Sequence, residues 1–184
     1  MNNHQVCSID HAKSLDNKLR GIIQNPNKIL GNYINKGMLV IDIGCGPGFF
    51  TTTMAELVGD KGKVIAIDLQ EKMLEFLKDK IRGTKLEEII ITHQCSERSL
   101  ELSAEADFIL AFYMVHEVPC QKTFFQEVKS LIKLDGKVLV VEPFFHVSNR
   151  SFQKTKEIVS NMGFEIIEEP NMFMCRSIVL KSKS

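Results

Sequence analysis

Val40-Ile41-Asp42-Ile43-Gly44-Cys45-Gly46-Pro47-Gly48-Phe49-Phe50 is an apolar run that stops at glycines and leads directly into a helical pattern. The run from Met38 to Ile43 has the length and unbroken apolarity of a strand buried on both faces, as parallel sheets contain. Beyond the loop, Phe50, Thr53, Met54, Leu57 and Val58 recur at helical spacing, and Gly59-Asp60-Lys61-Gly62 ends that segment before a second apolar run, Val64-Ile65-Ala66-Ile67. A strand, a helix and a strand joined through a glycine turn put the turn at the carboxyl end of the first strand, where open α/β sheets bind ligands.

Working outward, the same alternation fills the rest of the chain. Upstream, Asn25-Pro26 opens a leading helix whose Ile29, Leu30, Tyr33 and Ile34 share one face. Downstream, the pattern predicts a helix over 71–81, strands over 88–92 and 107–112, a helix over 121–133, a strand over 137–142, a helix over 150–162 and strands near 164–168 and 174–180. Strands separated by helix-length segments require crossover connections, so the fold class is α/β with a mostly parallel, doubly wound sheet. The connection from Glu168 to Met174 is too short for a crossover helix, which predicts an antiparallel hairpin at the end.

The totals fit this picture. A chain of 184 residues fills one domain, 1–184, and 44% hydrophobic with 25% charged residues is an ordinary globular composition. Lys plus Arg (23) balances Asp plus Glu (23), so no excess of basic residues marks a nucleic-acid surface. The five cysteines are scattered without a CxxC pair, and nothing near the N-terminus reads as a signal peptide or membrane span. These features predict a cytoplasmic protein with free thiols and no structural metal. They leave the oligomeric state open.

A glycine loop alone is equally well a tight turn. Here Asp68 ends the second strand, 20 positions after Gly48, where a carboxylate accepts the two hydroxyls of a ribose; the alternative is an Asp that caps the next helix. The spacing GxGxG rather than GxGxxG, and the acid Asp42 just before the loop, separate this pattern from a dinucleotide site. A carboxylate beside a pyrophosphate repels it, whereas a methionyl ammonium gains a partner. These residues point to S-adenosylmethionine, which leaves as S-adenosylhomocysteine.

From residue 25 to its end the chain resembles the class I S-adenosylmethionine-dependent methyltransferases, in particular the small-molecule branch that includes the ubiquinone and menaquinone biosynthesis enzymes. The segments that carry the resemblance are Val40–Gly48, Val64–Asp68, Ala106–Phe112 with His116-Glu117-Val118-Pro119, and Leu131–Pro143. The resemblance implies a Rossmann-like sheet of seven strands in the order 3-2-1-4-5-7-6 with the last strand antiparallel. It also implies that Asp42, Gly44, Cys45, Gly46 and Gly48 lie near the methionine portion, Asp68 at the ribose, and Leu69 and Met73 beside the adenine. Cys95, Ser96 and Phe112 complete the expected cofactor-binding set. One departure stands out: the loop after strand three, His93-Gln94-Cys95-Ser96-Glu97, lacks the Asp that usually meets the adenine amino group. Gln94, Ser96 or backbone groups are the substitutes, and Cys95 also reads as a packing residue.

Methyl transfer from a sulfonium needs mainly alignment and exclusion of water, and a base only where the acceptor is protonated. His116 and His146 are the candidate bases, beyond strands four and five with Glu117, Glu142 and Pro143; each histidine is alternatively a loop or packing residue. No Asn-Pro-Pro-Tyr-like motif follows strand four, so a small-molecule acceptor is expected rather than nucleic acid. Residues 1–25 are expected to cover the active site, bringing His4, Cys7 and His11 near it. Three other readings stand beside this one: an NAD-dependent oxidoreductase, a non-catalytic methyltransferase-like binding subunit, and a metalloid acceptor held by Cys7, Cys120 or Cys175.

Overall fold

The computed structural model describes residues 24–183 of the chain, which separates into two compact units, Met1–Cys95 and Ser96–Ser184. In the first unit, α1 (Pro26–Leu30) opens with Asn25, whose side chain accepts from Lys28 N. The helix is shorter than its apolar spacing predicts, because Tyr33 and Ile34 both turn back onto the Leu30 carbonyl. Strand β1 (Leu39–Ile43), helix α2 (Thr51–Val58), strand β2 (Lys63–Asp68) and helix α3 (Glu71–Ile81) follow as expected. Strand three starts later than its apolar pattern predicts. Thr84 accepts from Leu86 N and organises a single 3-10 turn at Lys85–Glu88, so β3 runs Ile90–Gln94. Strands β1, β2 and β3 pair in parallel. Leu30, Ile41, Ile43, Met54, Ile67 and Leu77 form the buried core of this unit, each contributing about 1.5–3 kcal/mol by leaving water.

The second unit holds β4 (Ala106–Phe112), α4 (Gln121–Leu131), β5 (Ile132–Pro143), α5 (Asn149–Asn161), β6 (Phe164–Glu168) and β7 (Cys175–Ser182). The helix expected over 121–133 ends two residues early, and the following strand begins well before 137. Ile132 pairs with Ala106, and pairing resumes only at Phe108 with Lys137, so the intervening residues bulge out of register. Gly136 permits this approach, since a Cβ there would lie 2.9 Å from the Ala106 carbonyl oxygen. At its other end β5 extends through Glu142 and Pro143, which places both inside the strand rather than beyond it. Phe108, Phe125 and Phe164 are the large side chains at the centre of this unit.

The sheet has seven strands in the order β3-β2-β1-β4-β5-β7-β6. Strand β7 runs antiparallel to both β5 and β6, as the short connection after Glu168 requires. His4, Cys7 and His11, with the rest of residues 1–23, lie outside the described residues. No helix among those described is long and apolar enough to cross a membrane.

Candidate functional site

In the first unit the end of β1 becomes a turn in which Gly44, Gly46 and Gly48 all have positive φ, at 71°, 53° and 84°. The turn is pinned to β2, because Gly44 N and Cys45 N both donate to the Ile67 carbonyl, at 2.8 and 3.0 Å. Two of the glycines then do different things. A Cβ at Gly46 would meet nothing within 4 Å, so open space lies before the loop, whereas a Cβ at Gly48 would overlap the Leu77 side chain of α3. Gly46 lets a ligand approach the backbone; Gly48 lets α3 approach the turn.

Asp68 closes this arrangement. Its Oδ2 accepts from Gly46 N and its Oδ1 from Gln70 N, both at 2.8 Å, so one carboxylate ties the glycine turn to the start of α3. The residue is 8% exposed. Burial raises its pKa above the ordinary Asp value, and the backbone N–H groups of Gln70, Gly46 and Leu69 offset part of that rise. Two carboxylate oxygens carry about four lone-pair sites, so acceptor capacity is left for a pair of ligand hydroxyls. The loop amide at Gly46 faces a carboxylate, which disfavours a pyrophosphate in the same place. A cofactor with vicinal hydroxyls and no phosphate fits these residues.

The other expected cofactor residues of this unit lie on β1, in the turn, just after β2, on α3 and just after β3. Asp42 is 2% exposed and accepts from Thr51 Oγ1 at 2.6 Å, joining the end of β1 to the first turn of α2. Cys45 is buried, its thiol pushed well above the usual range by burial and then by the charges of Asp42 and Asp68. Leu69 is half-buried, and Met73 is buried in the core face of α3. Cys95 N donates to the Asp68 carbonyl at 3.1 Å, and the Gln94 side chain donates to the Leu69 carbonyl at 3.3 Å. The second unit holds the last two: Ser96, exposed and bonded to the Ser99 carbonyl through its hydroxyl, and Phe112, buried at the end of β4.

Also in the second unit, the turn after β4 places His116 against Glu142 of β5. Glu142 Oε1 accepts the His116 backbone N–H at 3.2 Å, and Oε2 meets the ring Nδ1. Burial is the largest single influence on the His116 pKa and lowers it, but the Glu142 hydrogen bond and charge, with the charge of Glu117, outweigh it and leave the pKa raised. His146 is exposed, its ring edge-on to that of His116 at 5.7 Å between centroids. Phe145 packs edge-on to His146 at 4.9 Å.

Two features of this region were not expected from the sequence. Glu142 was placed at this edge but not as the partner of His116, though a lone acid ending an apolar run is a visible signal of a buried partner. Tyr113 is the second: it holds φ 61°, rare for a bulky residue, and its hydroxyl meets Cys175 Sγ at 2.9 Å. The sulfur of Cys120 accepts from Thr123 Oγ1. Among the described residues, no three His, Cys, Asp or Glu side chains gather as metal ligands.

A family described as a methyltransferase domain matches residues 34–171. A demethylmenaquinone methyltransferase of Lactobacillus johnsonii is 31% identical over 110 residues, covering 59% of this chain and 45% of that protein. The chain spans about half the length of such curated relatives; one from Bacillus cereus is 29% identical with 46% of its length covered. Among solved structures, an S-adenosylmethionine-dependent methyltransferase from Aquifex aeolicus superposes with a TM-score of 0.85 at 25% identity, covering 95% of this chain and 98% of that one. The family match takes in the glycine turn and Asp68 of the first unit and the His116–Glu142 pair of the second, and this chain belongs to the methyltransferase domain family.

Proposed function

We propose that this chain is a single methyltransferase domain that binds S-adenosylmethionine and moves its methyl group to a small-molecule acceptor, releasing S-adenosylhomocysteine. The observation that carries the reading is the open face of Gly46 beside the Asp68 carboxylate, a place for a ribose with no room for phosphate charge. Asp68 accepts the ribose hydroxyls, and Asp42, Gly44, Cys45, Gly46 and Gly48 shape the turn at the methionine portion. Leu69 supplies apolar surface for the adenine, with Met73 packed in the core face of α3 on that side and Cys95, Ser96 and Phe112 completing the cofactor set. The cofactor supplies an electrophilic methyl carbon on a sulfonium. The chain aligns the acceptor and excludes water, while His116 receives a proton, with His146 as the second candidate.

An acceptor of low molecular weight suits a chain with zero formal net charge, which lacks the excess of basic residues that nucleic-acid binding uses. The name of the Lactobacillus johnsonii relative makes a demethylmenaquinone the first acceptor to test. Free, dispersed cysteines fit a reducing compartment, the cytoplasm. Titration calorimetry with S-adenosylmethionine, S-adenosylhomocysteine and NADH tests the proposal. Binding of the first two alone is expected; binding of NADH alone, or of none, overturns it in favour of an oxidoreductase or a non-catalytic subunit.

A further inference from the structure

Glu142 is the one buried ionisable side chain among the described residues of the second unit, at 2% exposure. A carboxylate is not buried cheaply, and its hydrogen bonds show what holds it there. Both of its oxygens go to one residue. Oε1 takes the backbone N–H of His116, and Oε2 takes the ring Nδ1, so the strand β5 carboxylate grips the turn after β4 by its main chain and its side chain together. A carboxylate oxygen offers only lone pairs, so the shared ring proton sits on Nδ1 and the neutral imidazole presents Nε2 as a lone pair. Glu117 Oε1 lies 3.9 Å from Nε2, beyond hydrogen-bond length. The His116 side chain keeps 23% of its surface, so the ring is not sealed from solvent. Aromatic edges lead outward from the ring: His146 lies next to His116, Phe145 next to His146, and Phe145 itself is 62% exposed.

We infer that Glu142 is the positioning residue of a proton-accepting pair that holds His116 with Nε2 outward, and that the methyl acceptor is an aromatic compound reacting through a phenolic or enolic hydroxyl. This rests on the methyl-transfer reading above. A thiolate or a metalloid acceptor already has its lone pair exposed and needs no base. A phenol, near the tyrosine pKa of about 10, holds its proton at neutral pH yet lies close enough to an imidazole to lose it during transfer. An alkyl alcohol is too weak an acid for this base. The aromatic edges of Phe145 and His146 suit a flat ring. As the acceptor oxygen, or the ring carbon beside it that loss of the hydroxyl proton activates, forms its bond to the methyl carbon, the sulfur–carbon bond breaks with its electron pair left on sulfur, now a neutral thioether. The hydroxyl proton ends on His116 Nε2, and Glu142 balances the imidazolium until solvent removes it. Among the described residues, the charged or titratable groups facing His116 are Glu142 from β5, Glu117 from its own turn and His146 from the turn after β5.

The test begins with the wild-type chain labelled with nitrogen-15 in histidine, the His116 signals being assigned by their absence in His116→Gln. Nitrogen shifts showing the proton on Nδ1 are expected; a proton on Nε2 overturns the inference. In Glu142→Gln the His116 titration midpoint should fall by about 1–3 pH units, with Glu142→Asp recovering part of the shift. An unchanged midpoint would reduce Glu142 to a packing partner. With radiolabelled S-adenosylmethionine and naphthol, naphthylamine and naphthalenethiol as acceptors, turnover of the naphthol is expected. Its kcat should drop about a hundredfold or more in Glu142→Gln with KM nearly unchanged, and the pH profile should move to lower pH. Methylation confined to the amine or the thiol, or no turnover of the naphthol, overturns the acceptor class. Calorimetry separates the two levels: failure of wild-type chain to bind the cofactor sinks the methyl-transfer reading whatever the tautomer, whereas normal binding with the wrong tautomer sinks only the pair.

Discussion

Replacing Gly46 by alanine and, separately, Gly48 by alanine adds the same methyl group to the same turn, and the two variants should fail in opposite ways. Both residues have positive φ, so each alanine carries a backbone penalty of about 1–2 kcal/mol. At Gly46 that is the whole effect on folding, because the new Cβ meets nothing within 4 Å. At Gly48 the Cβ overlaps Leu77 Cδ1 and lies 3.4 Å from Cγ, and Leu77 is fully buried with little room to turn away. Overpacking of that kind adds roughly 1–3 kcal/mol, so Gly48→Ala should lose about 2–5 kcal/mol of a total stability on the order of 5–15. Urea unfolding resolves the difference, at a slope of about 1–3 kcal/mol per molar. Calorimetry with S-adenosylmethionine on the folded variants should show the reverse ranking, with Gly46→Ala the weaker binder. Leu77→Ala should rescue part of the Gly48→Ala loss, with a coupling of about 0.5–3 kcal/mol. Equal stability of the two alanine variants would refute the packing role of Gly48, and wild-type affinity in Gly46→Ala would refute the ligand role of Gly46.

Asp68→Ala should weaken S-adenosylmethionine binding about tenfold or more by removing charge-assisted hydrogen bonds worth roughly 1.5–3 kcal/mol each; wild-type affinity in calorimetry would remove the ribose assignment. The same variant should also unfold more easily, since Gly46 N and Gln70 N both lose their acceptor. The pKa of His116 is raised in the folded chain, so its contribution to stability is full below the unfolded value of about 6.5 and fades as pH rises through the folded value. A plot of urea midpoint against pH should lose that slope in His116→Gln, and identical slopes would contradict the pairing. Cys120 is exposed, with its thiol pKa lowered by hydrogen bonds from Thr123 and the backbone, whereas burial raises that of Cys45. Timed iodoacetamide labelling read by mass spectrometry should modify Cys120 first and Cys45 last among the four described cysteines, and early labelling of Cys45 would show that the turn opens.

The strands were legible because each is a compact apolar run bounded by glycine or polar residues, and their order followed from the family resemblance. What the local pattern misplaced were boundaries set by partners far along the chain. Ile132 reads as the last turn of a helix by periodicity, yet it pairs with Ala106, and Gly136 allows the bulge that follows. Similarly, Thr84 converts residues that look like the start of a strand into a capped 3-10 turn. In both places a nonlocal or side-chain hydrogen bond overrides a weak local preference.

At the candidate site the glycine turn and Asp68 were legible because their signal is local: a strand end, a fixed spacing and a second strand end. The sequence leaves Asp68 as either a ribose acceptor or a helix-capping acid, but these are not exclusive alternatives. One carboxylate has lone pairs enough to hold Gly46 N and Gln70 N and still accept ligand hydroxyls. Glu142 is different in kind. Its partner His116 lies 26 residues away, on a turn that only the β4–β5 pairing brings alongside. No spacing rule reaches across a helix and a strand, so the pair emerges only once Phe112 is set against Val141 and the two strand ends are level. An acid placed there with no such partner would be a buried, uncompensated charge. The same sheet register that makes the fold therefore determines whether His116 can act as a base.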